Sequence, residues 1–266
     1  FVQNSLKMIV PSVQSEATEK VATAPEKTAD KTQSVFSEAE KSEASAPKPS
    51  LIRRVPVPVL FPRIDLCLPT EVRLQGSKII IVGDHGKVAE ALIEKLEAAG
   101  AQTRLTALSK VREDLSTWGK EEKPDGLYFL PSLDPDPVWE VNHVRDWEEA
   151  LTEMEEALYS IGTLLPDTAF LIGATRLGSF NGLMNCENPL NGIVTGFMKS
   201  LRRERPHQLV KVVDFNDQAS PDYIAGALIS ETLQDPVTAE IGREDDLRNG
   251  IALQECETVD TGTVTL

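Results

Sequence analysis

The chain has 266 residues, 41% of them hydrophobic, and a formal net charge of −15, which allows one large domain or two small ones. Its negative balance and scattered Lys and Arg argue against nucleic acid or an anionic membrane surface as partner. No apolar run approaches the ~20 residues that a bilayer span needs, and the N-terminus lacks the basic-then-apolar pattern of a secretion signal. Cys67, Cys186 and Cys256 are odd in number and far apart, and His85, His143 and His207 show no metal-ligand spacing. Reduced thiols in a cytoplasmic protein and no metal site are therefore expected. Phe1 is not a methionine, so the sequence is expected to begin inside a longer polypeptide or to have been trimmed.

In chain order, residues 1–10 are a short mixed apolar segment, readable as the end of a helix. Residues 11–50 are dominated by Ala, Ser, Thr, Glu, Lys and Pro, with Phe36 the lone aromatic. Such a stretch cannot bury enough apolar area to offset its ordering entropy and is expected to be a disordered linker. From residue 51 the composition becomes globular. In "SLIRRVPVPVLFPRIDL", Pro56, Pro58 and Pro62 rule out a helix or a central strand and predict an extended segment at an edge.

A strand and helix alternation follows. The β-branched run Lys78–Val82 predicts a buried strand. His85–Ala99 predicts a helix, with Val88, Leu92, Leu96 and Ala99 on one face. Gln102–Ala107 and Gly126–Leu130 read as strands. Val144, Trp147, Leu151, Met154, Leu158, Ile161 and Leu165 form one apolar stripe at helical spacing, so Val144–Leu165 is a helix. Then come a strand at Thr168–Ala174, a helix at Leu190–Arg203, a strand over 208–215 and a helix at Pro221–Leu233. Two short strands close the pattern, near Ala239–Arg243 and Leu247–Gln254. This order predicts an α/β fold: a truncated Rossmann-like, doubly wound parallel sheet with an extended N-terminal strand and a C-terminal hairpin.

"IIIVGDHGKVAEALIEKLEAAGA", residues 79–101, has the outline of a dinucleotide turn. That turn needs three small positions, for the tight turn, for approach to the pyrophosphate and for helix-strand packing. Gly83 and Gly86 are present, Ala89 stands at the third position, and His85 and Lys87 occupy the lip. The plainer reading is a β-α turn that uses glycine for positive φ. The second strand, "TRLTALSK", offers no acid to select NAD. Ser109–Lys110 could hold a 2′-phosphate or simply enter a helix. A short-chain reductase also needs Tyr-x-x-x-Lys, in which lysine lowers the pKa of the proton-donating tyrosine. Tyr128, Tyr159 and Tyr223 are followed four residues on by Ser132, Thr163 and Ala227, so the dyad is absent.

Taken with "RRVPVPVLFPRIDLCLP", "ATRLGSFNG", "NPLNGIVTGFMKSLRRERP", "VKVVDFN" and "EIGREDDLRNGIALQE", the turn gives residues 51–256 a resemblance. They are similar to the structural, non-catalytic subdomain of a ketoreductase domain in modular polyketide synthases and polyunsaturated fatty-acid synthases. "FVQNSL" resembles the end of the last helix of an acyl carrier protein. The resemblance implies a truncated Rossmann-like half that binds no cofactor and buttresses a second half holding NADPH and the catalytic Tyr, Ser and Lys. That second half would follow residues 257–266, a linker.

On this basis no catalytic, cofactor or metal residue is assigned, and Gly83, Gly86 and Ala89 form a degenerate turn. NADPH is expected in the catalytic half, and phosphopantetheine on an upstream carrier domain. The partners are that half, in the same polypeptide or in trans, and an acyl carrier protein. Two other functions stay open: a stand-alone NADP-dependent oxidoreductase of the short-chain type, and a docking module for an acyl carrier.

Overall fold

The computed structural model describes residues 52–121, 123–134, 144–184, 186 and 189–256, all in the second of the two units into which the chain divides, 51–266. The carrier helix end (1–10), the linker (11–50) and the C-terminal linker (257–266) expected from the sequence lie outside the described residues.

One eight-stranded sheet carries the fold. Its strands are β1 (Arg53–Leu60), β2 (Lys78–Val82), β3 (Gln102–Thr106), β4 (Gly126–Phe129), β5 (Phe170–Thr175), β6 (Val210–Phe215), β7 (Glu240–Glu244) and β8 (Leu247–Cys256). Across the sheet they stand in the order β1-β8-β7-β6-β5-β4-β2-β3. The six strands from β2 to β7 are mutually parallel. β8 turns back antiparallel to β7, and β1 runs antiparallel to β8 along all eight of its residues.

Each parallel crossover is helical: α1 (Val88–Ala98), α2 (Val111–Glu121), α3 (Val144–Leu164), α4 (Gly192–Glu204) and α5 (Pro221–Leu233). The helices cover both faces because strand side chains alternate between faces. Ile79 and Ile81 of β2 point into a core closed by α1 and α5, through Leu92, Leu96, Ile224 and Leu228. Ile80 and Val82 point into a core closed by α2, α3 and α4, through Leu115, Leu158, Ile161, Val194 and Met198. Strands buried on both faces tend to read as continuous apolar runs; β2, β4 and β5 are largely so, while β6 is fully buried but carries Lys211 and Asp214.

The chain runs from β2 outward to β3 and then back past β2 to β4. The order of connection therefore reverses between β2 and β4; at the carboxyl ends of strands at such a point, doubly wound sheets take their ligands in a crevice.

Most bounds shift by one or two residues from expectation, and three differences bear on the turn and the edge. The first helix begins at Val88 rather than His85, because Lys87 takes a left-handed conformation with φ 71°. The positive φ expected of a glycine in this turn thus falls on Lys87. For Ser109–Lys110 the helix-entry reading holds: they sit in the 3-10 turn Leu108–Lys110 that leads into α2, whose extent was not among the expected elements. The final strand runs two residues further than expected, to Cys256, paired with β1.

Candidate functional site

The glycine turn and the end of β4 meet at this reversal point. The N-terminus of α1 presents backbone N–H groups there with no intrahelical partner, the arrangement that receives phosphate in nucleotide folds. In this protein its own carboxylates take them. Asp84 Oδ2 accepts from the Gly86 and Val88 N–H groups at 2.9 and 3.1 Å, and Oδ1 accepts from Ala89 at 2.7 Å. Asp134, just past β4, accepts the His85 N–H at 2.7 Å, and its other oxygen lies 2.8 Å from His85 Nδ1. That contact raises the pKa of His85, first through the hydrogen bond to Asp134 and then through the carboxylate charge. Four N–H groups of the turn are thereby engaged by two carboxylates.

The small residues of the turn serve contacts within the protein. A Cβ on Gly83 would stand 2.9 Å from Leu105 Cδ1, so the Leu105 side chain of β3 lies against the turn. A Cβ on Gly86 would stand 3.0 Å from the capping Asp84 oxygen. Ala89 is buried in the first turn of α1.

The rest of the carboxyl rim is also bound to itself. Arg176, at the end of β5, donates to the carbonyls of Leu133, Asn216, Asp217 and Ala219, tying the exit of β4 to the exit of β6. Asp214 of β6 is buried. It accepts from Thr175 Oγ1 at 2.8 Å, from the Leu177 N–H, and from the Asn181 N–H at 2.9 Å. Burial pushes its carboxyl up to about 6, against the pull of those donors.

The three tyrosines stand in different surroundings. Tyr128 is fully buried on β4, 2.8 Å from Thr232 Oγ1, and burial raises its pKa. Tyr159 is exposed on α3. The Tyr223 hydroxyl donates to the carbonyl of Asp245. Among the described residues no cluster of His, Cys, Asp or Glu could hold a metal ion, and no helix is long and apolar enough to cross a membrane.

Gly83 and Gly86 lie in the turn between β2 and α1, and Ala89 in the first turn of α1; Asp84, Asp134, Arg176 and Asp214 were not among the residues the sequence singled out. An acid one residue past the first glycine, ahead of a helix, was a readable capping signal for Asp84. Nothing local could pair Asp134 with His85, 49 residues away.

No family model matches the sequence, and no curated protein matches it. Solved structures do share its fold. A multidomain structure of a keto acid-selecting NRPS module, with adenylation, ketoreductase and pseudo Asub parts, matches at TM-score 0.60 and 12% identity, over 76% of this chain and 18% of that one. An N-terminal ketoreductase from the macrolactin assembly line matches at TM-score 0.54 and 13% identity, over 80% of this chain and 46% of that one. A short-chain dehydrogenase/reductase from Serratia marcescens matches at TM-score 0.47 and 12% identity, over 64% of this chain and 95% of that one. The protein thus spans less than half of the macrolactin ketoreductase chain, and at these identities the likeness is one of fold. The described residues form an α/β, Rossmann-like, doubly wound sheet, with an extended N-terminal strand and a C-terminal hairpin added at one edge.

Proposed function

We propose that residues 51–256 are the non-catalytic scaffold half of a β-ketoacyl thioester ketoreductase in a polyketide or fatty-acid megasynthase. Its role is to buttress a separate Rossmann-type half that binds NADPH and reduces the ketone. The acyl chain would ride on the phosphopantetheine of a carrier domain, and the catalytic half would act in the same polypeptide or in trans.

One observation carries this reading: the donors of the glycine turn are taken by Asp84 and Asp134. A pyrophosphate entering there would have to displace Asp84 and settle beside two carboxylates, against their charge. The Leu105 side chain lies against the same turn, and the chain has no Tyr-x-x-x-Lys. The ketoreductase names of two structures that share the fold fit the reading.

Calorimetric titration of the full chain with NADPH tests it. No saturable heat is expected. Binding in the micromolar range, or reduction of a β-ketoacyl thioester by the purified chain, would overturn it.

A further inference from the structure

The edge of the sheet that carries β8 and β1 does not stop with the other strands. β7 pairs with β8 only from Leu247 to Asn249. Among the described residues, β8 pairs from Gly250 to Cys256 with β1 alone, so a two-stranded ribbon runs on past the entrance of β7. A two-stranded ribbon by itself is marginal in water; three or more strands with an apolar face are needed for stability.

The two sides of this ribbon are not equivalent. The amide nitrogens of Pro56 and Pro58 carry no hydrogen. Both residues sit at positions of β1 turned away from β8, since Val55, Val57 and Val59 carry the ladder to Gln254, Ala252 and Gly250. The Phe61 N–H reaching Arg248 O at 2.8 Å fixes the same alternation. The outer edge of β1 is thus closed to another strand. On β8, the even-numbered residues face β1, so Ile251, Leu253 and Glu255 turn their N–H and C=O groups to the side that β7 has left.

One face of the ribbon is apolar and open. Pro56 lies opposite Leu253, and Pro58 opposite Ile251. Leu253 is 65% exposed. The Arg54–Glu255 ion pair, 3.0 Å long, bounds this patch at its far end.

We propose that the free edge of β8 pairs antiparallel with the β8 edge of a second copy of this chain, about a two-fold axis at Leu253. The register is self-complementary. Leu253 meets Leu253 of the other copy, and Ile251 meets Glu255 in both directions, so no like charges stand opposite each other. The central row on the open face becomes Pro56, Leu253, Leu253 and Pro56, all apolar. Each Arg54–Glu255 ion pair lies at an opposite corner. The pairing also closes. The joined ribbon has β1 of each copy as its outer strands, both blocked by Pro56 and Pro58, so it ends at two copies and does not grow into a fibre. This inference goes beyond the scaffold role and does not depend on it: a chain that binds NADPH could still dimerise, and one that does not could be a monomer.

Light scattering and sedimentation of the full chain over a wide concentration range test the proposal, with hydrogen exchange read at single amides. The wild type is expected to reach a dimer, with the Ile251 and Glu255 amides protected in the dimer and exchanging freely on dilution. Leu253→Pro removes an N–H that nothing among the described residues uses. It is expected to give a monomer with an unchanged circular dichroism spectrum. Should that variant fail to fold, Leu253→Lys keeps the N–H and sets two ammonium groups against each other at the axis, with the same loss of dimer expected. A wild type that stays monomeric at every concentration overturns the proposal, as does a dimer that survives both substitutions. Protection of these amides in a monomer would assign the edge to another segment of the same chain, and overturns it as well.

Discussion

Asp214 shows how one buried carboxylate organises the carboxyl rim. Its two oxygens accept from Thr175, Leu177 and Asn181 and so hold the segment after β5 against β6. Asp214→Asn replaces one acceptor oxygen with an NH2 group facing N–H donors, at a cost of about 1–3 kcal/mol. The pH dependence has a definite sign. Burial raises this carboxyl from its ordinary 3.8 to about 6, so the folded state holds its proton more tightly than the unfolded state does. Its contribution to stability is therefore largest below pH ~4 and declines as the pH rises toward about 6. Thermal unfolding of wild type and Asp214→Asn across that window should show the wild-type advantage shrinking with rising pH. An advantage that grows would mean the hydrogen bonds outweigh burial.

At the scale of elements, packing is decided where backbone meets backbone. The chain after β5 crosses β7 so closely that a Cβ on Gly242 would lie 1.8 Å from the Ser179 carbonyl oxygen, an atom held by the main chain and unable to give way. Gly242→Ala is expected to push the 177–182 segment off β7 and to destabilise the fold severely. Gly196 is the contrast: it lies inside α4, and a Cβ there meets nothing within 4 Å. Gly196→Ala should raise stability by up to about 1 kcal/mol, because alanine loses less backbone entropy in a helix. Urea titrations of the two variants check both signs.

The same contrast explains which elements the sequence revealed. The helix Pro221–Leu233 was legible to the residue, with Ser220 capping it through the Tyr223 N–H and proline at its first position. The helix Val111–Glu121 was not. It follows a 3-10 turn directly, and its described contribution to the core is little more than Val111, Leu115 and Trp118. These three positions stand at helical spacing, but the rest of the segment is polar, so the stripe is short.

At the scale of the molecule, a buried ionic cluster joins the edge strands to the body. Glu231 of α5 accepts from Lys211 Nζ at 3.1 Å and from Arg248 Nε and Nη2 at 2.8 and 2.9 Å. Arg248 also holds Asp235 and donates to the Pro62 carbonyl at 2.9 Å, which fastens the segment after β1 to α5 and β8. The Lys211 and Glu231 side chains are 0% exposed, and burial lowers the pKa of the lysine. Removing the Glu231 charge leaves Lys211 and Arg248 under-compensated out of water. Glu231→Gln should therefore cost about 3–5 kcal/mol, measured by chemical denaturation. A near-neutral result would show that Asp235 and backbone carbonyls suffice to hold both cations.

The sequence by itself determined the doubly wound architecture, because strands buried on both faces tend to be continuous apolar runs and their helices to carry one apolar stripe. It also determined that β1 is an edge strand, since Pro56 and Pro58 cannot donate to a second neighbour. Only the tertiary structure decided the state of the glycine turn. The residues that engage its donors come from two places: Asp84 inside the turn and Asp134 after β4, brought together because β2 and β4 are neighbours in the sheet. Hydrogen bonds between segments this far apart in the chain depend on strand order. Periodicity and spacing encode which face of an element is apolar, and they carry no record of which loop ends meet.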